Sequence, residues 1–290
     1  MIISHTILCN LIKIHPPFKI SIMHVYSPII HIIVVLHSFQ FSKLCFYDTL
    51  VNEKKSIDIY LFIIGAHYSA DTHVYSDSVV RLTASLIIIH EKYNSFRQTD
   101  DIALVELEEK VDFENNHLGA ICLPKQSELN SSDGTLTVAI GWGRLFETSQ
   151  HSSDTLQQVI LVIEEGQQCD RIKSGSQMNS QLCAGSLHTE ISQDTCHGDS
   201  GGPLMTRTVD DLWEIVGITS YGKGCGRLNE FGVYTRVSIY SNWLNITMKK
   251  LYRYTSRSMN TPRNVFLNSA TTYSTLNYFS FVLFISSLWK

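Results

Sequence analysis

Gly198-Asp199-Ser200-Gly201-Gly202-Pro203 decides the reading of this 290-residue chain. A lone serine is a weak nucleophile, because its hydroxyl stays protonated at neutral pH. Within a glycine-rich turn its neighbours are small enough for main-chain N–H groups to converge on one point and stabilise an oxyanion there. The flanking glycines also leave room for a substrate carbonyl. The alternative is a tight turn of accidental composition, and a second motif upstream argues against it. In Asp101-Ile102-Ala103-Leu104 an aspartate is followed by an apolar run, the pattern of a buried carboxylate at a strand start. Such a carboxylate requires strong donors, and the histidine of a Ser-His-Asp triad is one. Asp100 stands beside it as a competitor, but the register of the Ile-Ala-Leu run favours Asp101.

Together the two segments resemble those that carry the triad serine and aspartate of trypsin-like (chymotrypsin-fold) serine proteases. The resemblance implies an all-β fold of two antiparallel β-barrels and a C-terminal helix, with the triad in the cleft between them. It implies hydrolysis through an acyl-enzyme on Ser200, with Asp101 orienting and stabilising the imidazolium of the base. The oxyanion hole would be the N–H groups of Gly198 and Ser200. Asp199 would pair with the ammonium freed by zymogen cleavage, and Ser220 would hydrogen-bond the triad aspartate. Asp194, six residues before the nucleophile, matches the base of the specificity pocket, and Gly222 and Gly232 match its two walls. A carboxylate in a narrow slot favours a long cationic side chain, so cleavage after Arg or Lys is implied. Tyr221 stands where the family usually has tryptophan. His197 lies on the pocket rim and reads as a substrate-contact or surface residue. The resemblance also implies two disulfides, Cys169–Cys183 and Cys196–Cys225. The implied partners are proteins or peptides with Arg or Lys at the cleavage site, and inhibitors of the serpin or Kunitz type.

The departures lie upstream. The family's base sits in a Thr-Ala-Ala-His-Cys segment, and Cys45 is the candidate for its cysteine. Phe41-Ser42-Lys43-Leu44 precedes it, so Leu44 occupies the histidine position. An Ile-Val-Gly-Gly start and a Cys-Gly-Gly-Ser-Leu strand are also missing from the sequence. Leucine accepts no proton, and loss of the base from such a triad costs on the order of 10⁶ in kcat. Two accounts follow. In one the chain is a pseudoprotease that binds rather than cuts. In the other a misjoined first segment stands before an ordinary protease, as the intact matches at 101, 194 and 198–200 favour. The resemblance divides the chain into an unmatched segment 1–40, a protease domain 41–250 with an incomplete first barrel, and a C-terminal extension 251–290.

Strand-like runs with turn signals between them cover Ile57–Ile64, Val79–Ile89, Ile102–Leu107, Leu136–Trp142, Leu156–Ile163, Pro203–Arg207, Trp213–Ser220 and Gly232–Val237. Ile239–Leu251 has apolar residues at 239, 243, 244, 246 and 248, a one-faced closing helix. Ile29–Val35 is apolar and β-branched enough to replace a missing strand of the first barrel; the alternative is part of a targeting segment. Glu106–Glu114 reads as a solvated acidic face, and His67 and His90 fall in surface-loop segments.

A net charge of −4 without a basic cluster argues against a nucleic-acid partner. Seven cysteines point to an oxidising, extracellular compartment, with Cys9, Cys45 and Cys122 left over. The cysteine–histidine spacings do not suit zinc, Ala66 stands where a calcium loop would need an acid, and no cofactor is expected. Asn130-Ser131-Ser132 and Asn245-Ile246-Thr247 are glycosylation sequons. Met1–Ile12 makes a poor signal peptide. Residues 264–289 carry no charge, and the mostly apolar Tyr278–Trp289, with small residues at 268–270 and a polar spacer upstream of it, resembles a GPI-anchor signal that would tether the protein at the cell surface. A plain C-terminal extension is the alternative.

Overall fold

The computed structural model describes residues 24–25, 30–34, 61–68, 79–111, 120–124, 133–172, 178–186 and 193–258. Leu44, Cys9, Cys45, the Asn130 sequon and the C-terminal tail lie outside the described residues.

The described part of the first lobe is a five-stranded antiparallel sheet. Its strands are β1 (His24–Val25), β2 (Ile30–Val34), β3 (Leu61–Ile64), β4 (Val80–Ile89) and β5 (Ala103–Leu107), in the spatial order β1-β2-β5-β4-β3. β2 falls within the run expected to replace a missing strand, and it pairs with the strand that follows Asp101, Val34 opposite Ala103 and His31 opposite Glu106. Every residue of β5 is buried, so this strand is covered on both faces, as its unbroken Ala-Leu-Val core requires.

The second lobe closes on itself. β6 (Leu136–Gly141), β7 (Gln157–Glu164), β8 (Gln181–Ser186), β9 (Pro203–Arg207), β10 (Trp213–Gly222) and β11 (Gly232–Arg236) form a six-stranded barrel in the order β10-β11-β8-β7-β6-β9. Closure removes the unpaired edges that an open sheet would present. Its interior packs Ala139, Leu161, Ile163, Leu182, Ala184, Leu204, Val216 and Tyr234. On β7 the buried residues alternate, Leu161 and Ile163 in and their neighbours part-exposed, the period of a half-buried strand. Thr137 is buried with them because its hydroxyl donates to Leu161 O at 2.9 Å.

A short helix α1 (Gln167–Ile172) precedes β8, and a 3₁₀ turn (Val237–Tyr240) leads into the terminal helix α2 (Ser241–Ser258). Leu244 and Met248 of α2, one helical turn apart, pack with Ile102 and Leu104 of the first lobe and with Met205, Ile215 and Ile218 of the second. One apolar cluster thus fixes the strand after Asp101 against the barrel that carries Ser200. Each fully buried side chain of this size contributes roughly 1.5–3 kcal/mol.

Four expectations are corrected. β8 was not expected as a strand, because burial on both faces leaves Gln181-Leu-Cys-Ala-Gly without alternation. Glu106 is buried rather than part of a solvated face, since it lies in β5; exposure begins at Glu108. Ile239 and Ile246 are about half exposed, so the helix buries the 244–248 edge and not every apolar position. His90 is buried, not on a surface loop, with its ring 5.1 Å from Tyr240 and 5.0 Å from Trp243.

Candidate active site

The turn at 196–202 is built from its main chain outward. Gly198 has φ +103° and Gly201 φ +82°, conformations that side chains disfavour. Asp199 N donates to Cys196 O at 2.9 Å and Gly202 N to Asp199 O at 2.8 Å. Gly201 N bonds Thr219 O, and Thr219 N returns to Gly202 O, both at 2.9 Å. The turn is therefore stapled to β10, and a side chain at Gly202 would strike Asp199 O at 2.6 Å. The Asp199 carboxylate ties the start of the turn to the Gly141–Gly143 segment. It accepts from Gly143 N at 2.7 Å and Cys196 N at 2.8 Å. Burial pushes this carboxyl up, and the two N–H donors act against that shift. Side chains at Gly141 or Gly143 would collide with it, which accounts for both glycines of Gly141-Trp142-Gly143.

Asp101 and Asp100 part company in space. Asp101 is buried, and Ser220 of β10 donates its hydroxyl to Asp101 Oδ2 at 2.6 Å. Thr235 of β11 donates to Asp101 O at 2.9 Å. Tyr93 lies close enough that, after burial, the Asp101 charge is the second cause holding its hydroxyl well above the usual range. Asp100, with φ +52°, turns its carboxylate the other way. It accepts from the Tyr240 hydroxyl at 3.2 Å and lies 3.8 Å from His90 Nδ1. Burial is the main cause lowering the His90 pKa. Of the two, Asp101 is the aspartate that faces β10.

Asp194 is held by the N–H groups of Thr195 at 2.8 Å and Gly226 at 3.3 Å. Burial pushes its carboxyl up to about 6, and the neighbouring Asp199 charge adds to the rise. Gly232 lies against it, since a Cβ there would sit 3.2 Å from Asp194 Oδ1 and 3.0 Å from the Tyr234 ring. Gly222 differs, because a Cβ would find only ordinary contacts from 3.6 Å outward. Its smallness is not required by the protein's own packing. A cavity of about 460 Å³ reaches Asp194 from the Asp199 side, with Thr195, Cys196, Cys225 and Gly226 also in its wall. Ser200, Gly222 and Gly232 do not line that cavity. The Cys196–Cys225 disulfide joins the two segments that hold Asp194, and Cys169–Cys183 ties α1 to β8.

Three of the described histidines have visible surroundings. His90 faces Asp100. His67 accepts through its carbonyl from Trp142 Nε1 at 3.2 Å and Leu156 N at 2.9 Å. His197 is exposed beside the 196–225 disulfide. One contact had no sequence signal: Arg227 Nε donates to Glu147, a cavity-lining residue, at 2.9 Å. Cys196, His197 and Cys225 also gather potential metal ligands within 4.8 Å of one another, but the two sulfurs are bonded to each other.

Comparison with known proteins agrees with this geometry. The family model described as Trypsin matches residues 45–244. The human protein "Transmembrane protease serine 11B" is 41% identical over 160 residues, which cover 54% of this chain and 37% of that protein. The aligned stretch therefore spans little more than a third of the relative's length. Among the described residues, no helix is long and apolar enough to cross a membrane. With a closed six-stranded barrel, a terminal helix and a family match over most of its length, the chain belongs to the trypsin family of serine proteases.

Proposed function

We propose that this protein is an extracellular serine endopeptidase that hydrolyses peptide bonds after Arg or Lys. The observation that carries the proposal is the common origin of its two polar centres in one braced loop, residues 194–202. Asp194 sits at the start of that loop against Gly232, and Ser200 sits in the glycine turn near its end, stapled to β10. A guanidinium or ammonium held on Asp194 would extend past Gly222 and Gly232 and bring the following carbonyl to Ser200. The N–H groups of Gly198 and Ser200 would take the charge of the tetrahedral intermediate. Asp101, fixed by Ser220, would hold the ring N–H of the base. A GPI tether through the C-terminal tail, inhibitors of the serpin or Kunitz type, and glycosylation belong to the same proposal.

A second reading rests on Leu44. Leu44 accepts no proton from Ser200, and in this reading the protein displays a cation-binding slot without cutting. Hydrolysis of a fluorogenic Arg-amide peptide, with a Phe-amide peptide and Ser200→Ala as controls, separates the two. The protease predicts Arg-selective release abolished by Ser200→Ala. Release absent from the unaltered chain, with benzamidine still bound, favours the binding module.

A further inference from the structure

Gln181, the first residue of β8, is buried, yet both ends of its side-chain amide are engaged, one in each lobe. Its Nε2 donates to Gln98 O of the first lobe at 2.7 Å. A main-chain carbonyl only accepts, so that end of the amide is the NH2 group. The oxygen end then faces the hydroxyl of Tyr221 on β10, whose proton is shared between Gln181 Oε1 at 3.4 Å and Ile172 O of α1 at 3.2 Å. Gln98 belongs to a tight hairpin. Asn94 and Thr99 exchange main-chain bonds at 3.0 and 3.2 Å, and Arg97 N donates to Asn94 Oδ1 at 2.9 Å. Gln98 has φ +55° and Asp100 φ +52°, left-handed conformations that persist in such residues only where contacts hold them. Gln181 supplies one hold. Its cross-strand partner Thr235 supplies another, donating to Asp101 O at 2.9 Å. One pair of facing residues in the second lobe thus grips the chain on both sides of residues 99–100.

We infer that Gln181 is a positioning residue for substrate: by tying Tyr221 to the 94–99 hairpin, it sets how tightly the protein holds the part of a peptide that precedes its Arg or Lys. This rests on the proposed role of Asp194. A ligand with its cation on Asp194 and its carbonyl at Ser200 passes Gly222, so the residues preceding the cation come to Tyr221, the adjacent residue of β10. The Tyr221 ring is partly exposed while it packs on the cluster of Cys169, Cys183 and Val233. A phenol fixed at its hydroxyl presents that surface in one orientation, and a surface ordered before binding loses less freedom when the ligand arrives. Methionine is unbranched and of similar length but has no amide. With methionine at 181, Gln98 O loses a donor and the Tyr221 hydroxyl an acceptor, so the hairpin and the ring both gain alternative positions. Asp194 lies outside this linkage, because its donors are Thr195 N and Gly226 N. The cation itself is therefore held as before.

Calorimetric titrations of the full-length chain test this with two ligands. Benzamidine occupies the slot at Asp194 alone. N-acetyl-leucyl-leucyl-agmatine is a decarboxylated arginine with two preceding residues and no scissile bond, so its binding is read whether or not the protein cuts. Gln181→Met should weaken the extended ligand about three- to tenfold, the effect of one lost hydrogen bond, and leave benzamidine within about twofold. Tyr221→Phe should act in the same sense, and adding it to Gln181→Met should cost less than about twofold more, since both remove one linkage. Without ligand, hydrogen exchange at the amides of 94–102 should quicken in Gln181→Met. Equal losses for the two ligands would reduce Gln181 to a structural residue, and an extended ligand bound as before would overturn the role outright. If benzamidine does not bind the unaltered chain, the reading of Asp194 fails and the substrate role with it. The exchange rates still judge the tie, and rates that Gln181→Met leaves unchanged would overturn it.

Discussion

Acidification should release cationic ligands from this protein in a pH range where an ordinary aspartate would still hold them. Asp194 is the reason. Burial lifts its carboxyl from an ordinary 3.8 to about 6, despite the N–H donors of Gly226 and Thr195. An amidinium stays protonated throughout this range, so its binding tracks the ionised fraction of the carboxylate. At pH 5, about one unit below that pKa, roughly one carboxyl in eleven is ionised, and the dissociation constant of benzamidine should be about tenfold weaker than at pH 8. A carboxyl at 3.8 would lose less than about a tenth of its affinity over the same interval. Asp199, also pushed up by burial, contributes in the same direction, and Asp194→Asn separates the two. Calorimetric titration of benzamidine from pH 5 to pH 8 reads the effect. An affinity flat across that range, or an Asp194→Asn protein that binds as tightly as the unaltered chain, would refute the reasoning.

Further outcomes follow from the same contacts. The folded protein holds the Asp194 proton more tightly than the unfolded chain does, so this group's contribution to stability falls as pH rises from about 4 to about 6, by ~3 kcal/mol. Asp194→Asn should therefore raise Tm at pH 8 and leave it nearly unchanged at pH 4, as scanning calorimetry can read. Ser220→Ala removes a hydroxyl donor from the buried Asp101 carboxylate and should cost about 1–3 kcal/mol in urea unfolding; a loss below the experimental error would show that this hydrogen bond does not hold Asp101. Gly202→Ala drives a methyl into Asp199 O and Ile140 O and should cost roughly 1–3 kcal/mol, with benzamidine binding weakened because the turn is displaced. Leu244→Ala removes a fully buried side chain between the lobes and should cost about 2–5 kcal/mol, visible as a lower urea midpoint.

The sequence was most informative where local chemistry is self-contained. The glycine turn at 198–202 announces its left-handed main chain, and the run after Asp101 announces a buried strand; both are found. The two disulfides implied by resemblance are present as paired. Ile29–Val35 was legible as a strand from its β-branched residues, although its pairing with β5 was not. Features made by distant segments were not legible. β8 is buried on both faces, which erases the alternation that marks a strand. Glu106 looks solvated by composition but lies inside β5. The Glu147–Arg227 contact joins two loops with no local signal in either. His197 read as a rim residue; that it touches both sulfurs depends on how the loop folds back on Cys225. At Gly222 the protein leaves room for a side chain, so its own packing does not ask for glycine there.

The most direct measurement is covalent. The full-length chain is incubated with a fluorophosphonate, with and without excess benzamidine, and the modified residue is located by peptide mass spectrometry. The account predicts a single phosphonyl adduct on Ser200, slowed by benzamidine and lost in Ser200→Ala. An unmodified Ser200, or an adduct that benzamidine does not slow, would contradict it.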